Sequence, residues 1–111
     1  MITIDDFKKL NIVVGTVESV EEIEGSEKLY KFAINIETET RQILGGLKLA
    51  YTKEGLLGKQ VVVLANLEPR TMMNLESQGM ILCASDPSPA GEGKPVILSP
   101  ITPVPNGSSI R

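Results

Sequence analysis

At 111 residues, with a formal net charge of −3 and no histidine, the chain is sized for one domain around a single core. The lack of histidine removes the commonest general base and zinc ligand, and a single cysteine, Cys83, builds neither a disulfide nor a cysteine-rich metal site. An apolar fraction of 41% argues against disorder, while 4% aromatics leaves too few rings to assume a binding face built on stacking.

Thr3-Ile4-Asp5-Asp6 has the form of a capping box, with Asp in the place more often taken by Glu, and predicts a short helix over about residues 4–9. From Asn11 to Ile23 the pattern is β-rich, with Ile12, Val14 and Thr16 in one phase and Val13 and Val17 in the other. Gly15 in its middle suggests a bulge or sharp bend, as a strand needs when it serves both halves of a small barrel. Glu24-Gly25-Ser26 makes the next turn. Tyr30, Phe32, Ile34 and Ile36 then alternate with Lys31, Ala33, Asn35 and Glu37, the clearest period-two signal in the chain. Thr38-Glu39 turns into a strand over Thr40–Leu44, ended by Gly45-Gly46. Leu47–Leu57 suits one or two helical turns stopped by Gly58. Lys59–Leu67 reads as a continuous apolar strand, followed by a proline-stopped loop carrying a lone Arg70. Gly79 supplies the backbone freedom for a sharp turn into a last barrel strand, Met80–Ala84. Three strands, a short helix and two strands is the order expected of an all-β OB-fold, a five-stranded Greek-key barrel.

Beyond Ser85 the composition changes. Asp86–Gly93 reads as a loop, Pro95–Leu98 as a short strand, and Ser99–Pro105 as extended and proline-punctuated. The expected organisation is therefore a barrel with its N-terminal helix over residues 1–85 and a C-terminal extension over 86–111, within one domain. Val96, Ile97, Leu98, Ile101 and Val104 require cover, either from the barrel of their own chain or from a second copy.

No glycine-rich phosphate loop with its lysine occurs. Glu18, Glu21, Glu22, Glu24 and Glu27 crowd one stretch, where a solvated acidic turn explains them better than a carboxylate pair at work. The expectation is a protein that is not an enzyme and takes no cofactor or metal. No apolar run approaches the roughly 20 residues of a membrane span. The opening residues lack a signal peptide's basic and apolar regions, and one cysteine fits a reducing compartment, so a soluble, cytoplasmic protein is expected. The acidic balance is awkward for a phosphate binder, but the field that matters is local.

Several segments, in order and spacing, resemble the tRNA-binding domain family. Its members occur alone in bacteria, or are appended to methionyl-tRNA synthetases and to cytokine-like synthetase cofactors. Asp6–Gly15 is similar to the family's opening, Glu27-Lys28-Leu29-Tyr30-Lys31-Phe32 to a strand entry, and Arg41–Gly46 to its central strand. Ala65–Arg70 and Ser77-x-Gly79-Met80 resemble its binding signature, and Val104–Ser108 its closing turn. The resemblance implies an OB-fold, tRNA as partner, a homodimer joined through terminal segments, and association with a methionyl-tRNA synthetase. The alternative is a homodimeric, chaperone-like protein-binding module from another branch of the same superfamily.

Each candidate residue carries two readings. Ser77, Gly79 and Met80 form either a turn with a core-capping methionine or, as the resemblance implies, an RNA-facing motif. Asn66 either caps a strand end or joins the binding face. Arg70 is a solubilising charge or a fork for phosphate oxygens. Lys28 and Lys31 bracket the start of the second strand and suit the RNA backbone. Arg41 is divided between RNA and a cross-strand ion pair. Cys83 is a small buried residue. Relatives often place lysine beside the Asn-Leu-x-Pro-Arg segment, where this chain has Glu68 and Thr71, and both departures remove positive charge from the expected face.

Overall fold

The capping box at Thr3 forms in the computed structural model, which describes residues 1–90 and 92–111. Gly91, within the loop expected over 86–93, lies outside the described residues. Thr3 Oγ1 accepts the Asp6 amide at 3.2 Å, and Asp6 Oδ2 accepts the Thr3 amide at 3.0 Å. The Thr3 amide, and then the Thr3 hydroxyl, hold the Asp6 carboxyl below the usual aspartate range. Helix α1 spans only Ile4–Phe7, shorter than the expected 4–9. The amides of Lys9 and Leu10 bond carbonyls three residues back, which tightens the chain into a turn.

Five strands make the barrel: β1 (Ile12–Glu22), β2 (Tyr30–Asn35), β3 (Thr40–Gly45), β4 (Gln60–Leu64) and, after two further strands, β7 (Met80–Ile81). Their order is β3-β2-β1-β4-β7, and the short helix α2 (Lys53–Leu56) lies between β3 and β4. This is the all-β OB-fold arrangement. The long β1 serves both halves, pairing with β4 over Ile12–Thr16 and with β2 over Thr16–Glu22. The irregularity that bends it falls between Val17 and Ser19, not at Gly15 as the sequence suggests. Gly15 has a different purpose: a Cβ there would lie 2.7 Å from Ile34 Cγ2 and 2.9 Å from the Asn35 carbonyl oxygen. Only glycine lets β2 pass so close.

Inward-facing Val17, Phe32, Ile34, Ile43, Val61 and Val63 are buried together in the core, as the alternation predicts. The β3 and β7 sides of the barrel meet through side chains as much as backbone. The Gln78 amide donates to Gln42 O at 2.8 Å, the Gln42 amide to Gln78 Oε1 at 3.1 Å, and the Leu44 amide to Ser77 Oγ at 3.0 Å.

Between β4 and β7 stands a hairpin that the sequence hides, β5 (Arg70–Met72) and β6 (Leu75–Ser77). Arg70, expected on a loop, begins its first strand. The two turn residues, Met73 and Asn74, both have positive φ, 53° and 62°. Asparagine tolerates that conformation and methionine does not favour it, so the usual Asn-Gly signal is missing.

The expected last strand, Met80–Ala84, is also divided. β7 ends at Ile81, and after Leu82 the chain leaves the barrel as β8 (Cys83–Ser85) to pair with β9 (Pro95–Ile97). Leu98 inserts there, its amide donating to Leu82 O and its carbonyl accepting from the Val62 amide. The remaining C-terminal residues run back over their own barrel. Gln60 Nε2 donates to Val104 O at 2.6 Å, Gln60 Oε1 accepts from the Val104 amide at 3.0 Å, and Thr16 Oγ1 donates to Asn106 Oδ1 at 2.7 Å. Val14 and Val62, paired on that same outward side of β1 and β4, are only 2% and 8% exposed. The amides of Gly107 and Ile110 then bond the carbonyls of Val14 and Ile12 along the edge that β2 leaves free.

Candidate nucleic-acid interface

A cleft of about 250 Å³ opens between the β5–β6 hairpin, the end of β3 and strand β7. Leu29, Leu47, Met72, Met80 and Ile81 make it largely apolar, and Arg70 supplies its charge. Cys83 also borders it. Burial pushes that thiol up, so it is protonated at neutral pH and adds soft apolar surface instead of a nucleophile.

The eight residues singled out from the sequence separate into groups. Arg70 is exposed and Met80 half-buried, both on this cleft. Lys28 is exposed on the adjoining cleft, which shares Leu29 and Gly46 with the first. Among the described residues neither Arg70 nor Lys28 has an ion-pair partner, so both charges are available to a ligand. Lys31 instead points to a separate cleft with Gln42 and Gln78, where Glu21 pairs with it at 2.9 Å.

The other four hold the protein together. Ser77, expected to face RNA, is 2% exposed; its hydroxyl accepts the Leu44 amide and donates to Gly79 O at 3.1 Å. Gly79 has φ 149°, and a Cβ there would lie 3.0 Å from the Leu64 carbonyl oxygen. The Arg41 guanidinium donates to Ala65 O at 2.8 Å and Gln78 O at 2.9 Å, and pairs with Glu39. Nη1 makes both carbonyl bonds across the barrel closure, a use that neither of the two sequence readings named. Asn66 clamps the N-terminal segment, accepting from the Asn11 amide at 2.8 Å and donating to Lys9 O at 2.7 Å.

The acidic stretch is likewise more organised than a solvated turn. Glu18, Glu21 and Glu22 lie on β1, leaving Glu24 and Glu27 in the connection that follows. Glu22 pairs with Lys48 at 3.1 Å and approaches Lys53 at 4.0 Å; Lys48, through its hydrogen bond and its charge, and then Lys53 hold its carboxyl below the usual range. Glu18 accepts from Asn35 Nδ2 and Thr40 Oγ1. Glu21 and Glu22 are therefore matched by lysines, while among the described residues Lys28 and Arg70 have no ion-pair partner. The cleft itself was not legible in the sequence, because its wall is the hairpin carrying Met72.

An OB-fold barrel with an apolar cleft edged by unmatched Arg70, and Lys28 on the cleft adjoining it, has the form of a binding module. The family described as "Putative tRNA binding domain" matches residues 12–109, and the chain belongs to that family. The methionine–tRNA ligase of Archaeoglobus fulgidus is 46% identical over 109 residues, 98% of this chain and 16% of the ligase. That of Caldanaerobacter subterraneus subsp. tengcongensis is 40% identical over 109 residues, with the same two coverages. The chain thus spans about 16% of the length of these curated relatives. Among solved structures, the MetRS related protein from Pyrococcus horikoshii superposes with a TM-score of 0.91 at 30% identity, covering 100% of this chain and 98% of that one. The chaperone CsaA of Bacillus anthracis str. Ames gives 0.86 at 28% identity, covering 100% and 99%. No helix among the described residues is long and apolar enough to cross a membrane.

Proposed function

We propose that this chain binds tRNA in the cytoplasm through the face bearing Arg70, Met80 and Lys28, and serves a methionyl-tRNA synthetase as its tRNA-binding part or partner. The observation that carries the reading is the placement of two unmatched cations on adjoining clefts of a protein whose net charge is −3. Guanidinium and ammonium groups in that setting hold phosphate without reading bases, so recognition rests on the contour of a folded RNA and depends little on sequence. A synthetase gains by the raised effective concentration of tRNA near its catalytic centre. The chain acts as a homodimer, a reading supported by the exposed apolar side chains of its terminal segments, Ile2, Ile4 and Leu10 at one end and Ile110, bonded to Ile12, at the other.

Titration with bulk tRNA at several salt concentrations tests the reading. Each neutralised phosphate contributes about 0.7–0.9 to the slope of log K against log salt, so two contacts per barrel give roughly −1.4 to −1.8. Binding that ignores salt refutes it. The likeness to the CsaA chaperone and the apolar lining of the cleft favour a second reading, capture of unfolded peptide on the same face. In that case an apolar peptide displaces tRNA, or binds where tRNA does not.

A further inference from the structure

Three clefts meet at Gly46. One is the apolar cleft under the β5–β6 hairpin, bordered by Arg70; the second is edged by Lys28; the third runs from Lys28 to Lys94 past Pro95. Among the described residues, six of the basic side chains have no ion pair or side-chain hydrogen bond: Lys8, Lys28, Lys59, Arg70, Lys94 and Arg111. Lys28, Arg70 and Lys94 all border this connected surface. A Cβ at Gly46 would meet nothing within 4 Å, so the floor at the junction is bare backbone beneath open space.

The first cleft differs from the other two in kind. Its volume of about 250 Å³ falls below the roughly 300–1,000 Å³ of sites for drug-sized ligands, which suits one small ring system. Its walls are aliphatic and thioether groups without an aromatic ring, and methionines such as Met72 and Met80 adapt to a flat apolar face. A cation at the rim of an apolar slot matches a nucleotide, whose base is flat and whose phosphate is anionic.

We propose that this cleft receives one unstacked nucleobase of the bound RNA, with Arg70 on its phosphate. The strand continues over Gly46 to Lys28 and to Lys94, a contact residue that the sequence did not suggest. The inference rests on the reading of the chain as a tRNA binder and adds to shape recognition a requirement for an unpaired nucleotide. Among the side chains of the slot Arg70 alone is a strong donor, so base identity is read weakly. Glu27 and Glu92 border the same surface and moderate the affinity.

The test uses the full chain, bulk tRNA, and a blunt RNA duplex of comparable length without unpaired nucleotides. Wild-type binding to tRNA is measured first; its failure removes the proposed function itself. Given that binding, Gly46→Leu puts a side chain into the junction from a Cβ that meets nothing within 4 Å, and the affinity for tRNA falls by about fivefold or more at unchanged thermal stability. Lys94→Ala weakens tRNA binding and lowers the salt slope by about 0.7–0.9, whereas Lys8→Ala leaves both as in wild type. The duplex competes poorly against tRNA for the wild-type chain. Two results overturn the proposal while leaving tRNA binding intact: wild-type affinity in both Gly46→Leu and Lys94→Ala, or a duplex that competes as well as tRNA. If Gly46→Leu proves unstable, Lys94→Ala and the duplex decide the matter alone.

Discussion

Replacing Ser77 with alanine separates a structural serine from an RNA-binding one. The hydroxyl is buried, accepts the Leu44 amide at 3.0 Å, and donates to Gly79 O at 3.1 Å. Alanine removes both bonds, so the Leu44 amide is left buried without its partner. Such an orphan costs about 1–3 kcal/mol. For a domain of this size each kcal/mol lowers Tm by about 4 °C, so the expected fall is about 4–12 °C in a thermal melt. Far below that melting range the closure of β3 against β7 persists through the Gln42–Gln78 bonds, and tRNA affinity stays close to wild type. An unchanged Tm together with a loss of tRNA binding refutes the reasoning, because it places the hydroxyl on the ligand and not in the barrel.

Gly15→Ala overpacks the barrel where β2 crosses β1; with a Cβ 2.9 Å from the Asn35 carbonyl oxygen the strand cannot yield cheaply, and denaturant titration shows a loss of about 1–3 kcal/mol. Gln60→Ala releases the C-terminal segment from β4, so the amides of Gly107 and Ile110 exchange faster with deuterium while that of Val63 does not change. The Asp6 carboxyl titrates lower in the folded chain than when unfolded, so its contribution is present above the usual aspartate range and is lost as pH falls through the folded value. Proton NMR of the Thr3 amide follows that loss, and the stability gap between wild type and Asp6→Asn closes over the same acid range.

Whatever depends on neighbours in the chain was legible in the sequence. The capping box at Thr3, the inward set Tyr30, Phe32, Ile34 and Ile36, the succession of β1 to β3, α2 and β4 along the chain and the proline-rich tail follow from periodicity and turn chemistry, which act over a few residues. The tertiary structure alone decided which polar groups remain for a ligand. Ser77 and Leu44 are 33 residues apart, Arg41 and Gln78 37, Asn66 and Lys9 57, and only closure of the barrel brings these partners together. Closure consumes those side chains because a buried amide or carbonyl must find a partner. Two features escaped local signals altogether. Met73 takes a left-handed turn conformation that methionine does not favour, and the hairpin it closes raises one wall of the cleft. Lys94 reaches the Gly46 junction only because β9 folds back against β8. A strand pattern specifies which face of a residue points inward, but the meeting of distant segments decides which outward charges are left unmatched.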